Sequence, residues 1–167
     1  MADSNTKNPM RFYGYLEAAV DDKGRVMIDK KNRERLGKDF VAAMMPNGCL
    51  GLYREEVWRE QEEKILEAQS DNPGWEHYTR LMGKNVADEL NCDSQGRFVL
   101  PHRLRESANL KGEIVLHGAI NRLELWNAEE FKKYEIDPYG YGAERRQLID
   151  RARKMMRQQE DSEGWGV

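Results

Sequence analysis

Two arginines in this chain sit in the same chemical setting. Arg25 closes the run Asp21-Asp22-Lys23-Gly24-Arg25, and Arg97 closes Asp93-Ser94-Gln95-Gly96-Arg97. In both runs an aspartate precedes the arginine by four positions and a glycine stands directly before it. A guanidinium is a planar fork of donors suited to phosphate oxygens or to the edge of guanine. Glycine allows the left-handed backbone of a tight turn. The aspartates, Asp21 and Asp93, can cap the turn and brace the arginine that follows. Two readings therefore stand together: a self-braced turn at Gly24 and Gly96, or a basic loop offering Lys23, Arg25 and Arg97 to a nucleic acid. They are compatible, because a braced arginine is a preorganised one.

The two runs lie 72 residues apart, and the correspondence continues beyond them. Val26-Met27-Ile28 matches Phe98-Val99-Leu100, Arg33 matches Arg105, and Glu34 matches Glu106. At an offset of 73, Leu50-Gly51-Leu52-Tyr53 meets Leu123-Glu124-Leu125-Trp126, and Trp58 meets Phe131. Two copies are too few for a solenoid, which needs at least about three. They predict an internal pseudo-dimer sharing one core, since each copy alone buries little surface.

The elements that must position the turns can be read in order. Residues 1–11 form an N-terminal tail. The first unit, 12–58, begins with a strand from Phe12 to Val20 whose Leu16, Ala18 and Val20 share a face. After the turn, Val26–Ile28 is apolar throughout and is expected to be buried on both sides. Lys30–Leu36 is a short helix ended by Gly37. Phe40–Met45 and Leu50–Tyr53 pair around Pro46-Asn47-Gly48. Linking helices occupy 59–83, with one from Glu55 to Gln69, a break at Ser70–Gly74, and another from Trp75 to Met82 that stops near Gly83. The second unit, 84–131, repeats the order. Pro101 is expected at the first helical position of its short helix, and Asn127 with Glu130 at a capping box. A C-terminal loop and helix fill 132–167. That helix spans 143–158, with Leu148, Ala152, Met155 and Met156 as its packing stripe, and 160–167 fray.

Charge is unevenly spread. The net formal charge is −3, which argues against a uniformly basic nucleic-acid binder. Residues 22–38, however, carry seven basic residues against three acidic, and 144–157 carry six against two. A local basic face can act where the mean charge does not. Cys49 and Cys92 fall at non-equivalent places and form no C-x-x-C pair; they read as small core residues in a reducing compartment. His77, His102 and His117 lack metal-ligand spacing, and no phosphate loop or nucleophile elbow is present. Neither catalytic residues, metal nor cofactor is expected. No apolar run is long enough to span a membrane, and the polar N-terminus lacks a secretory h-region, so a cytoplasmic protein is expected.

The doubled D-x-x-x-R, Gly-Arg before an apolar triplet, Pro101 followed by Leu104-Arg105, and His117-Gly118-Ala119-Ile120-Asn121-Arg122-Leu123-Glu124-Leu125-Trp126 together resemble the MraZ family. Members carry two AbrB-like (SpoVT-AbrB) units per chain. The resemblance covers about Tyr15–Trp58 and Gly83–Trp126. It implies an α+β fold in which two AbrB-like repeats form a pseudo-two-fold β-barrel core with peripheral helices. It also implies a bacterial, nucleoid-associated transcriptional regulator of the division and cell-wall gene cluster. Such a protein would assemble as a ring-shaped homo-oligomer and bind direct repeats in double-stranded promoter DNA. The DNA-binding residues would be Lys23, Arg25 and Arg97, with Asp21, Gly24, Asp93 and Gly96 supporting the turns. Two positions depart from the pattern. Asp29 stands where the second copy has Pro101, and Gln95 stands opposite Lys23. The alternative is an AbrB-like protein-interaction module such as an antitoxin, which usually has one unit and a toxin-binding tail.

Overall fold

The computed structural model describes residues 10–68 and 73–163, with side chains described as far as Met155. The N-terminal tail up to Pro9, most of the break at 69–72, the Met156 side chain and the end of the chain lie outside the described residues.

Among the described residues, alternating apolar residues, Gly-containing turns and amphipathic runs produce eight strands and six helices. In chain order these are β1 (Tyr15–Val20), β2 (Arg25–Met27), α1 (Lys30–Leu36), β3 (Phe40–Met44), β4 (Leu50–Arg54), α2 (Glu55–Glu67), α3 (Pro73–Lys84), β5 (Val86–Leu90), β6 (Arg97–Val99), α4 (His102–Ser107), β7 (Gly112–Gly118), β8 (Leu123–Asn127), α5 (Ala128–Ile136) and α6 (Ala143–Glu163). All pairings are antiparallel, in the order β5-β3-β4-β8-β7-β1-β2-β6. The two ends of that order, β5 and β6, are the arms of the second D-x-x-x-R turn. The Asp93 N–H donates to the Arg97 carbonyl (2.7 Å) and all but closes the barrel. The α+β barrel of two repeated units is the architecture that the family resemblance implies.

The copies interleave. β1 of the first copy pairs along its length with β7 of the second, from Tyr15↔His117 to Val20↔Gly112. β5 of the second pairs with β3 of the first. There the register steps from Phe40↔Leu90 to Ala42↔Ala87, so β5 holds one extra residue, and Glu89 in that bulge has φ 55°. The copies also meet on a pseudo-two-fold axis at two places: Gly51 opposite Glu124, between Leu50↔Leu125 and Leu52↔Leu123, and Val26 opposite Phe98. These are the residues that the sequence offsets align.

Val26, Ile28, Phe98 and Leu100 fill the barrel with Phe40, Leu50, Leu52, Ile114, Leu123 and Leu125, and Leu36 of α1 and Leu104 of α4 join the same core. Outside it, α2 covers β3 and β4 through Val41, Ala43, Tyr53 and Trp58, and α5 covers β8 and β7 through Trp126, Phe131 and Val115. The equivalent ring pairs Tyr53–Trp58 and Trp126–Phe131 have centroids 5.2 and 5.3 Å apart. Among the described residues no helix is long and apolar enough to cross a membrane.

Several expectations are corrected. The first strand starts at Tyr15, because Gly14 has φ 87° and breaks the run after Phe12, which bridges Ile120. Within it Leu16 is exposed, leaving Ala18 and Val20 against the core. β2 is buried on one face only: Met27 is 49 % exposed between two fully buried neighbours. Pro101 is the N-cap of α4, with φ −54° and ψ 131°, rather than its first residue. Asp29, its counterpart, caps α1 by accepting from the Asn32 N–H, so the departure from proline keeps a defined helix start. Pro73 and Gly74 open α3, which runs through Gly83 to Lys84. In α6 only Ala152 of the expected stripe is buried; Leu148 and Met155 are exposed.

Candidate nucleic-acid interface

Each D-x-x-x-R run folds as one hydrogen-bonded turn. The Asp21 carboxylate accepts from the backbone N–H groups of Lys23 (2.9 Å) and Arg25 (2.8 Å) and from Arg25 Nε (2.7 Å). Asp93 does the same for Gln95 N (2.9 Å), Arg97 N (3.0 Å) and Arg97 Nε (3.2 Å). The Gly24 and Gly96 N–H groups return to the carbonyls of Asp21 and Asp93, both at 3.0 Å. Both carboxyl groups are held below the usual aspartate range, first by the backbone N–H of Arg25 or Arg97, and then against the opposing effect of desolvation. A charged acceptor strengthens these bonds. Both arginines are therefore tethered at Nε, and among the described residues no acceptor engages their Nη atoms. The outer edge of each fork stays available.

The barrel brings the two turns side by side. In the β2–β6 ribbon Arg25 lies opposite Val99 and Met27 opposite Arg97. The ladder runs on at both ends, with the Ile28 N–H donating to the Gly96 carbonyl and the Leu100 N–H to the Gly24 carbonyl, both at 2.9 Å. Thus Lys23, Arg25 and Arg97, which are far apart in the chain, belong to one ribbon. Lys23 is exposed on the first turn, and its counterpart Gln95 carries no charge.

The structure adds two arginines that the sequence reading aligned but did not place in the site. Arg105 of α4 lies over Gly24, and Arg33 of α1 lies over Gly96, so each copy supplies a guanidinium to the other copy's turn. Gly24 and Gly96 have φ 76° and 83°. A Cβ on either would overlap Nη1 of the arginine above it. The positive φ is what favours glycine here; the arginine tip above could swing aside from a Cβ. Arg33 Nη1 donates to the Ile28 carbonyl (3.0 Å), and Arg105 Nη2 lies 3.1 Å from His102 Nδ1. Recurrence at the same offset as the turns was the available signal for this pair. Nothing local in the sequence says that the contact crosses between copies.

The second basic run is not brought to this ribbon. α6 packs along α3, with Arg153 over the Tyr78 ring at 5.5 Å, and Arg145 lies over Gly48 of the β3–β4 turn. The helices α1, α2, α4 and α5 pack on β3, β4, β7 and β8. The outer face of β2–β6 is left to Arg25, Met27, Arg97 and Val99. The ribbon thus sets two Asp-braced arginines on the face away from the core.

The model of a family described as "MraZ protein, putative antitoxin-like" matches residues 12–80 and 85–138. Among curated proteins, the chain is 37 % identical over 124 residues to the transcriptional regulator MraZ of Pediococcus pentosaceus, covering 73 % of this chain and 85 % of that protein. It is 37 % identical to the protein of the same name from Heliobacterium modesticaldum, over 74 % of this chain and 85 % of that one. With its namesake from Chromobacterium violaceum the identity is 40 %, over 71 % and 82 %.

Proposed function

The chain belongs to the MraZ family, and from that premise we propose that it regulates transcription by binding promoter DNA through the β2–β6 ribbon. Its curated relatives carry the name of transcriptional regulators. The observation that carries the mechanism is the pair of Asp-braced turns, which tether Arg25 and Arg97 at Nε on the ribbon face away from the core and leave their Nη atoms without an acceptor among the described residues. Lys23 and the crossing Arg33 and Arg105 add charge beside them. Guanine edges in the major groove and backbone phosphates both accept such a fork. Asp21, Gly24, Asp93 and Gly96 support the turns and make no contact of their own with DNA.

The chain acts as a homo-oligomeric ring on direct repeats, with one ribbon per subunit. Weak individual contacts then add by avidity, which reconciles a net charge of −3 with DNA binding. Its place of action is the cytoplasm, at the nucleoid, and its role is regulatory rather than catalytic. An antitoxin-like role in holding a partner protein is less well supported, because α6 lies against the chain's own α3 rather than standing as a separate tail.

The test is an electrophoretic mobility shift of the full chain on the DNA upstream of its own gene, against a random-sequence duplex of the same length. Preferential retardation of the upstream duplex, weakening as salt rises, is expected. Equal affinity for both duplexes at physiological salt would refute sequence-specific regulation.

A further inference from the structure

The outward face of the β2–β6 ribbon is not uniformly charged. Met27 is 49 % and Val99 is 60 % exposed, while Val26 and Phe98, their neighbours in the strands, are buried in the barrel. That burial fixes the strand orientation, because side chains alternate between faces. Met27 and Val99 must therefore point outward with Arg25 and Arg97. The register Arg25↔Val99 and Met27↔Arg97 sets the four in a square, arginines on one diagonal and apolar side chains on the other. The square straddles the pseudo-two-fold axis at Val26 and Phe98.

We propose that Met27 and Val99 are specificity-determining contacts that pack against thymine 5-methyl groups in the major groove; this rests on the DNA-binding reading above. The surrounding chemistry selects that occupant. An apolar protein partner seated on Met27 and Val99 would have to strip water from two neighbouring guanidinium groups without returning their hydrogen bonds. The DNA major groove satisfies both halves of the square. It admits a two-stranded antiparallel ribbon, offers phosphates and guanine edges to arginine, and displays one exposed apolar group, the thymine methyl. Methionine is flexible enough to follow a methyl whose exact position varies with local helix shape. The arginines hold the ribbon in place, and the apolar pair discriminates thymine from cytosine at the bases beneath it.

The experiment uses the full chain and the duplex upstream of its own gene, amplified once with dTTP and once with dUTP, which removes every 5-methyl group. A random-sequence thymine duplex serves as the non-specific reference. Wild type is expected to bind the thymine form of the upstream duplex more tightly than the uracil form, by about fourfold for each methyl covered. The double variant Met27→Ala, Val99→Ala is expected to bind the two forms alike and to lose more affinity for the upstream thymine duplex than for the random duplex. Met27→Leu, which keeps an apolar side chain of similar size, is expected to retain the preference.

The inference is overturned if wild type does not distinguish thymine from uracil. It is also overturned if the double variant keeps the same thymine preference, which would trace the effect to DNA shape. It fails equally if the double variant loses affinity for upstream and random duplexes by one common factor, because the side chains would then act on folding or assembly. Failure of the underlying reading looks different: wild type then binds neither form of the upstream duplex better than random DNA.

Discussion

Asp21 and Asp93 each accept three hydrogen bonds from a turn that ends in an arginine. Their carboxyls are held below the ordinary aspartate value of about 3.9, first by the backbone N–H of Arg25 or Arg97. A carboxyl whose pKa is lower in the folded state contributes stability that is fully present above the unfolded value and is lost as pH falls through the folded one. Thermal melts of wild type and of the double variant Asp21→Asn, Asp93→Asn should therefore differ most above about pH 4 and converge at lower pH. A gap that widens on acidification would contradict this account. Arg25→Ala and Arg97→Ala should each weaken DNA binding, by about 1–3 kcal/mol where the fork reads a base. Where a contact is to phosphate, the salt slope should fall by about 1. The double change should nearly abolish binding. Titrations of a correctly folded and assembled double variant that retained wild-type affinity would remove these residues from the interface.

At the scale of single elements, the short helices and α6 behave differently from their sequence patterns. α1 and α4 are brief, yet each is anchored by one buried leucine, Leu36 or Leu104, in the barrel core. That anchor places Arg33 and Arg105 over the opposite turns. α6 packs along α3 with Ala152 buried and Arg153 beside Tyr78. That packing leaves Leu148 and Met155 exposed. If the basic side of α6 adds phosphate contacts, deleting residues 143–167 should lower affinity for random and upstream DNA by similar factors, since phosphates carry no sequence information. Unchanged affinity for both, with assembly intact, would show that α6 has no part in DNA binding. Loss of the oligomer by light scattering would instead make α6 an assembly element.

For the whole molecule, the decisive fact is that neither copy is a complete barrel. β1 finds its long partner in β7 and β5 finds its partner in β3, across the two copies. A chain of residues 1–83 alone retains β1–β4 but has lost β5, β6, β7 and β8 as partners. It should be unfolded, or it should dimerise so that a second copy replaces the missing one. A folded monomer of this fragment, seen by light scattering together with dispersed amide resonances, would contradict the shared-barrel account. The full chain should assemble beyond a dimer, with α2 and the exposed aromatic and aliphatic residues Tyr13, Leu66 and Ile120 among the surfaces available for contact. A monomer at micromolar concentration would argue against a ring.

Much of this was legible in the chain. The two D-x-x-x-R turns follow from local chemistry: an aspartate, a glycine and an arginine at the same spacing form the same bonds at both places in this chain. The two-copy plan was visible because equivalent positions repeat at nearly constant offset, and the axial pairs Val26–Phe98 and Gly51–Glu124 are the aligned residues themselves. Three things were decided only by tertiary structure. Apolar character in Val26-Met27-Ile28 could not say which face was covered, since a strand is buried by what packs on it, and Met27 is left exposed while Val26 and Ile28 fill the barrel. The stripe on α6 could not say that Ala152 would be buried while Leu148 and Met155 stay exposed. The crossing of Arg33 and Arg105 to the opposite turns depends on interleaved strands, a pairing between residues far apart in the chain that loop-closure entropy opposes and local sequence does not encode.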